Sequence, residues 1–543
     1  MPENARETLA FESLDQPLSP LFLDYLAGRE RAAAFLGSDG FDLAAIDRAA
    51  DRALTLERPR AAVAEALVRQ QRARSAERAA EQAGRLAAAG TAAIVTGQQA
   101  GLFGGPLYVL LKAVATLEVA RLLEERRGRP VVPVFWVASD DHDFAEVRSD
   151  TVLDATGAIR ILRYDPRREP AGEPAWAITL DDTLLALTAE LGRVLPAGVG
   201  RDAVVEAVER SYVPGETLSG AFARFVSQLL PELVVLDPAD PALKALSVPV
   251  LGRELREGSP VSRLALETGE KLLAAGYHQQ VPVRPGFLQL FVVAEGQRRA
   301  LGIADGSVEV RGTRERLGLA EAVARLEGAP QLWSAAALLR PLVQDFLLPT
   351  AAYVGGPAEI AYHAQLAPSY AHFGIPRPAL VPRPSATLVE PQQARALDAE
   401  GLRLADLVGD PETLVTRWAR EDYPAVETAF ARAREAIERE LGLVEEALGA
   451  HDPTLRAATV SARGRALHQV EGLHEKALRA LKKRDQGRAE RLRRTRDALL
   501  PGGALQERGI GLASPLARHG LALVDTLRQR LDFFAHGHQV IRL

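Results

Sequence analysis

"TAAIVTGQQAGLFGGPLYVLLK", residues 91–112, and "VVPVFWVASDDHDF", residues 131–144, decide the fold. The first opens as a short apolar run over 91–97, passes through a glycine-bearing turn, and goes on in helical spacing. Pro106 is well placed in the first turn of a helix. Leu107, Leu110, Leu111, Val114, Leu117, Ala120 and Leu123 give that helix a broad apolar face. Arg126 and Arg127 suit its C-terminal dipole. The second stretch runs eight apolar residues straight into Asp140, Asp141, His142 and Asp143. Strand, glycine turn, helix, strand is a parallel βαβ unit, the building block of a doubly wound sheet. The expected class is α/β.

Working outward, residues 1–90 are mostly helical in pattern, up to a stop at Gly90. "TVLDATGAIRILRY" (151–164) predicts a hairpin, and helices follow from about 182 to 230. "ELVVLDP" (232–238) predicts a buried strand ending in an acid. Residues 285–312 predict two or three antiparallel strands with turns at Glu295–Gly296 and Asp305–Gly306. "LLPTAAYVGGPAEIAYHAQLAPSYAHFG" (347–374) returns to strand, turn and helix, and "RPALVPRPS" (377–385) adds a strand. The parallel sheet is therefore expected to be split by an insertion.

From about 420, Tyr423, Val426, Phe430, Ala433, Ile437, Leu441, Val444 and Leu448 are spaced by threes and fours, a heptad seam. "GAHDP" (449–453) makes a turn. A second helix is expected from about 454 to 499, with Leu467, Val470, His474, Ala477 and Leu481 on one side. Together they predict an antiparallel coiled-coil hairpin, a spacer or dimerisation arm. The expected division is 1–150 for N-terminal helices and the first half of the core, 151–330 for inserted segments, and 331–419 for the second half. The hairpin takes 420–500, and a tail over 501–543 packs on the core.

Composition narrows the function. The chain has 543 residues, more than one core can use. With 66 basic and 71 acidic residues the net charge is −5, which argues against a nucleic-acid binder with a large basic surface. No cysteine is present, so disulfides, thiolate metal sites and cysteine nucleophiles are excluded. "MPENARETLAFESL" lacks an apolar signal core, and no stretch is long enough to span a membrane. A soluble, cytoplasmic protein is expected.

The chemistry should gather beyond the carboxyl ends of the strands. Thr96, Gly97, Gln98, Gln99, Gly101, Gly105 and Pro106 leave one strand end, Trp136 and Asp140–Asp143 another, and Tyr353, Gly355, Gly356, Glu359 and Tyr362 a third. The glycines permit close backbone approach. The helix start near Pro106 would aim N–H groups at an anion such as phosphate, though tight packing explains such a turn equally well. No G-x-x-x-x-G-K-[ST] or G-x-G-x-x-G occurs there. If "SDDHD" is extended, Asp140 and His142 share one face and Asp141 and Asp143 the other. Such a cluster can bind an amine, orient a ribose or do acid–base work. One acid can instead cap the next helix. No second His or Glu lies nearby at ligand spacing, so a metal set is not expected. Lys112, one turn into the helix, is within reach of a phosphate or of solvent. His363 and His372 are expected to be ordinary core or surface residues.

Taken together, "TGQQAGLFGGPLYVLLK", "PVVPVFWVASDDHDFAEV", "RPLVQDFLLPTAAYVGGPAEIAYHAQL", "VPRPSATLVE" and "PGGALQERG" resemble the bacillithiol biosynthesis cysteine-adding enzymes, over nearly the whole chain. The resemblance implies a Rossmann-like core with inserted connecting segments and a C-terminal coiled coil through which two copies pair. It implies addition of L-cysteine to glucosaminyl malate. A nucleotide, ATP or ADP with Mg²⁺, is implied, with no tightly bound cofactor. The core is also similar to the catalytic domain of class I aminoacyl-tRNA synthetases. There Tyr108 and Leu111 stand where the two histidines of the ATP-gripping motif would be. In "VPRPSAT" (381–387) Arg383 is the only cation of the later loop. Both signatures are degraded, which sets ordinary aminoacyl-adenylate chemistry and tRNA charging aside.

Asp140, Asp141, His142 and Asp143 are thus expected to position substrate or move protons. The Gly97–Pro106 turn and Lys112 are expected to hold nucleotide or the malate end. Two other classes remain at this point: a nucleotidyltransferase-like enzyme with another small acceptor, and a non-catalytic coiled-coil scaffold with a ligand-binding core. A crevice plugged by apolar side chains would mark the last.

Overall fold

The computed structural model describes residues 7–37 and 39–543. Residues 1–6 of the N-terminal stretch discussed above lie outside them. The strands are β1 (Glu7–Leu9), β2 (Ala92–Gln98), β3 (Val131–Val137), β4 (Ser149–Leu153), β5 (Ile159–Arg163), β6 (Val234–Leu236), β7 (Phe287–Ala294) and β8 (Gln297–Ala304). They continue as β9 (Ser307–Val310), β10 (Arg316–Gly318), β11 (Trp333–Ala335), β12 (Thr350–Gly355), β13 (Ala379–Pro382), β14 (Ser385–Val389) and β15 (His538–Arg542).

The central sheet has the order β13-β12-β2-β3-β6, parallel throughout. Every residue of β3 is buried, as are Ala92–Gly97 of β2, so these strands are covered on both faces and read as unbroken apolar runs. Helix Leu107–Arg127 makes the crossover between them. Pro106 caps this helix rather than entering its first turn. Val109, Ala113 and Ala115 are buried along with the expected stripe, so most of the helix surface is covered. Arg126 and Arg127 pair with Asp47, and Arg127 also with Asp51.

Register fixes where the site falls. Ala92 lies opposite Val131 and Gln98 opposite Val137, so the two strands end level. Tyr353 lies opposite Val95 and Val354 opposite Thr96, which brings the end of β12 to the same height. From β2 the chain winds to β3 and β6 on one side and later to β12 and β13 on the other. The topological switch point is therefore between β2 and β12.

The segment between β3 and β12 holds the β4–β5 hairpin and an antiparallel sheet of order β10-β9-β8-β7-β11. The two expected turns are present. Glu295–Gly296 and Asp305–Gly306 each place both residues at positive φ, 53° and 76°, then 49° and 73°. That is the twist a two-residue hairpin needs. β10 and β11, too short to read from the sequence, complete the sheet.

The chain forms two compact units. One holds the residues up to Val389 together with Ala504–Leu543, and the other is Glu390–Gly503. In the first unit, the C-terminal strand β15 pairs parallel with β14 and antiparallel with β1. The second unit begins earlier than the expected residue 420. Within it, helices Pro424–Gly449 and Pro453–Arg484 run antiparallel, as the pairs Glu427–His474, Arg434–Glu471 and Glu445–Arg456 show. The second helix does not continue to 499. Asp485 (φ −105°, ψ 28°) breaks it, and a separate helix runs Gln486–Leu499. Phe430 stacks on His474 at 4.5 Å in the seam, yet no residue of Pro424–Gly449 is fully buried.

Candidate active site

A cavity of about 850 Å³ opens beyond the level ends of β2, β3 and β12. From β2 and its helix come Gly97, Gln98, Gln99, Tyr108 and Lys112; from β3 come Trp136, Asp140 and Asp141. From β12 and the segments after it come Tyr353, Gly356, Glu359, Tyr362 and Arg383. The structure thus gathers most of the residues picked from the sequence. Thr96, Gly101, Gly105, Pro106, His142, Asp143 and Gly355 are not among the lining residues.

The glycine turn proves to be a packing device. Its N–H groups are turned inward: Gly104 N donates to Tyr212 Oη (3.0 Å), Gly105 N to Leu102 O (3.0 Å) and Leu107 N to Ile510 O (2.8 Å). A Cβ on Gly101 would stand 2.9 Å from Gly105 Cα, and one on Gly104 would stand 2.7 Å from the Phe225 ring. The expected phosphate-cradling role finds no free donor at these positions. Thr96 Oγ1 donates to Val354 O (2.7 Å) and so ties β2 to β12.

Lys112 is also not a free cation. Its ammonium donates to Gly97 O (2.8 Å) and Gln98 Oε1 (3.0 Å) and pairs with Glu359. An ammonium has three protons, and here all three are taken. Glu359 further accepts from Tyr353 Oη (2.5 Å) and Gly356 N (2.7 Å). Burial pushes its carboxyl up, but Lys112, Tyr353 and the Gly356 N–H together hold it below the usual range. Beside it, Arg340 donates to Tyr362 Oη and to Gln344 Oε1, both at 2.8 Å, and lies over the Tyr353 ring at 5.5 Å. Behind them His363 stacks on Tyr362 at 4.9 Å. It is fully buried, and burial keeps it neutral, its pKa well below the ordinary value. It is a core histidine, while His372 pairs with Glu257 near the surface.

Arg383 is fixed from behind. It pairs with Glu507 at 2.6 Å and lies over the Tyr108 ring at 5.1 Å. Glu507 also accepts from Ser385 Oγ (3.0 Å) and Ala386 N (2.7 Å). The stretches "VPRPSAT" and "ALQERG", far apart in sequence, are thus one structural unit.

The acid cluster divides its work. The chain turns at Ser139–Asp140, with Asp141 N bonded to Ala138 O (3.1 Å), so alternation along an extended strand does not sort these residues. Asp140 accepts from Lys244 Nζ at 2.7 and 2.8 Å, and Lys244 also donates to Trp333 O (2.9 Å). Gln99 Nε2 bridges Asp141 Oδ2 (2.7 Å) and Glu146 Oε2 (2.8 Å). Asp143 caps the short helix Phe144–Val147 by accepting from Glu146 N (3.2 Å), so one of the acids is structural. His142 Nδ1 faces Arg298 Nη1 at 3.3 Å. Burial, then Arg298, lowers its pKa below the ordinary value. Among the described residues, no group of three or more His, Cys, Asp or Glu is arranged to hold a metal ion. No described helix is long and apolar enough to cross a membrane.

Sequence reasoning missed Glu146, Lys244, Arg298, Arg340 and Arg508, all of which line the cavity. Lys244 had a signal. It lies one turn into helix Pro241–Arg256, which leaves the end of β6 as the Lys112 helix leaves β2. Arg298 sits on β8 of the inserted sheet, where nothing local marks it. The wall carries seven basic side chains against four acidic ones, in a chain of net charge −5. An anionic ligand is what such a wall attracts.

The comparisons agree with this architecture. Residues 7–384 match the family description "Bacillithiol biosynthesis BshC, N-terminal Rossmann-like domain", and residues 386–543 match "Bacillithiol biosynthesis BshC, C-terminal coiled-coil domain". A protein of Salinibacter ruber, named as a candidate cysteine ligase BshC, is 34% identical over 96% of each chain. Its namesake in Koribacter versatilis is 36% identical over 84% of each. The one in Symbiobacterium thermophilum is 33% identical over 92% of this chain and 90% of its own.

Proposed function

Because the chain belongs to the bacillithiol biosynthesis BshC family, we infer that it is a cysteine ligase and that the cavity beyond β2, β3 and β12 is its active site. The proposed reaction joins the carboxyl of L-cysteine to the amino group of glucosaminyl malate, the last step toward bacillithiol. A C–N bond forms, the amine loses a proton, and a carboxyl oxygen leaves with whatever group has activated it. We assign the activating group to a nucleotide, ATP or ADP with Mg²⁺.

The observation that carries this reading is a roomy cavity at the switch point whose charged side chains are cationic overall yet include open carboxylates at and after the end of β3. Among the described residues Asp141 and Glu146 pair with no Lys or Arg: Asp141 accepts from the Gln99 amide and from the backbone N–H groups of His142 and Asp143, and Glu146 from the Gln99 amide, so both keep acceptor capacity for a substrate ammonium or for the proton the amine gives up. Asp140, already neutralised by Lys244, serves to fix that wall. The scaffold alternative loses ground because no apolar plug fills the crevice.

We also propose that the protein acts as a homodimer in the cytoplasm, paired through the helical hairpin. Leu443, Val444, Leu455, Val460 and Leu473 are exposed there, and a second copy would cover them.

The test is product mass from purified protein with glucosaminyl malate, L-cysteine and ATP–Mg²⁺, beside a nucleotide-free control and the Asp141→Asn variant. The expected result is a cysteinyl adduct that needs nucleotide and is lost in the variant. An adduct formed equally by Asp141→Asn would remove the acid cluster from the mechanism. No adduct under any condition would overturn the ligase reading.

A further inference from the structure

The charges on the cavity wall are unevenly distributed between its two ends. At the end near β12, Lys112 is neutralised by Glu359 and Arg383 by Glu507. Arg340 and Arg508 line the same end, and among the described residues neither has a carboxylate within ion-pair distance. Lys112 feels the charges of Glu359, Arg383 and Arg340, and Tyr108 feels those of Arg383, Arg508, Glu359 and Glu146, so these groups form one cluster. Two cations are left without a directly paired carboxylate. The end beside β3 is balanced: Lys244 pairs with Asp140, and Arg298 feels the charges of Asp140 and Asp141. That end suits a zwitterion such as an amino acid.

Arg340 is the better placed of the two unmatched cations. Two of its donors are spent on Tyr362 and Gln344, and the Tyr353 face lies against it, so its fork is held in one orientation. A planar fork with donors to spare recognises carboxylate or phosphate oxygens in pairs. Arg508 is exposed at the rim and can close on whatever binds.

We propose that this end is a dianion subsite, which holds the two carboxylates of the acceptor substrate, with Arg340 the specificity-determining residue and Arg508 its partner. The assignment rests on the ligase reading above. A nucleotide phosphate offers the same chemistry, and the test separates the two.

Calorimetric titration of wild type, Arg340→Gln, Arg508→Gln and Arg298→Gln with L-malate, with ADP and with L-cysteine decides it. Wild type should bind L-malate. The dissociation constant should rise about tenfold or more in Arg340→Gln, the scale of one charged hydrogen-bond pair. It should rise by a smaller factor in Arg508→Gln, a substitution at an exposed position that the fold tolerates. It should be unchanged in Arg298→Gln, and ADP binding should be unchanged in both of the first two variants. The subsite is overturned if wild type does not bind L-malate, if neither variant weakens it, if Arg298→Gln weakens it as much, or if ADP binding falls instead. A protein that makes the cysteinyl adduct but binds L-malate independently of Arg340 sinks the subsite and spares the ligase. One that binds L-malate through Arg340 but makes no adduct does the reverse.

Discussion

Arg383 and Arg434 make the same bond in two different media. Arg383 meets Glu507 at 2.6 Å beneath the cavity floor, with both side chains almost wholly buried (4% and 1% exposed). Arg434 meets Glu471 at 3.2 Å across the helical hairpin, with the two side chains 35% and 50% exposed. In water the attraction is screened and offset by lost side-chain freedom. In the interior each ion depends on its partner, because neither can be rehydrated. The lesson extends to both regions. In the core, Lys112 spends its three protons on three acceptors, and Glu507 accepts from Arg383, Ser385 and Ala386. The hairpin is held by partly exposed contacts, and its apolar residues are only half covered.

Four perturbations sharpen this contrast. The largest effect is expected from Arg383→Met, which strands Glu507 as an unpaired buried carboxylate. It should cost about 3–5 kcal/mol by chemical denaturation, and Arg383→Met/Glu507→Gln should recover most of it. A loss below 1 kcal/mol would break the contrast on the core side.

Next comes pH. Burial pushes His538 down to about 4, with Glu507 opposing and Arg383 adding to the shift. The folded chain keeps this ring neutral between Ser385 Oγ and Thr387 Oγ1, while the unfolded chain protonates it near 6.5. Stability is therefore present above pH 6.5 and is lost as pH falls from 6.5 to 4, by about 3 kcal/mol. Glu507, whose pKa is also lowered in the folded state, adds loss of the same sign at lower pH. Denaturation midpoints followed from pH 7 to 4.5 should show a shallower fall in His538→Gln.

Gly104→Ala should cost about 2 kcal/mol. Its φ of 94° disfavours any side chain, and the new Cβ would press on the Phe225 ring and on Leu512. The smallest effect belongs to the hairpin. Glu471→Gln should change stability by about 0.5 kcal/mol or less. A loss of 2 kcal/mol there would show that the hairpin's exposed pairs behave as buried ones.

The sequence made the sheet legible because its strands are buried on both faces and so appear as unbroken apolar runs, as in "VVPVFWV". The hairpin was legible through its heptad spacing. The break at Asp485 was not, because it lies in a wholly polar run, 482–488, where no apolar periodicity marks a helix end. Within the site, residues next to strand ends were readable, and Lys112, Asp140, Asp141 and Glu359 do line the cavity. Their partners were not. Arg298 comes from the insertion and Arg508 from the tail, and only the folded chain brings them to the same wall. Lys112 shows the opposite error. Its position was right, but its saturation by Gly97, Gln98 and Glu359 depends on contacts 14 or more residues away.

The most direct test sets one region against the other in a single assay. Cysteinyl-adduct formation by mass, from glucosaminyl malate, L-cysteine and ATP–Mg²⁺, should be compared in wild type, Asp141→Asn and the hairpin variant Leu473→Glu, with folded content checked for each. The expected result is loss of adduct in Asp141→Asn and adduct within a few fold of wild type in Leu473→Glu. Full activity in Asp141→Asn together with loss in Leu473→Glu would contradict it, and would move the chemistry away from the cavity.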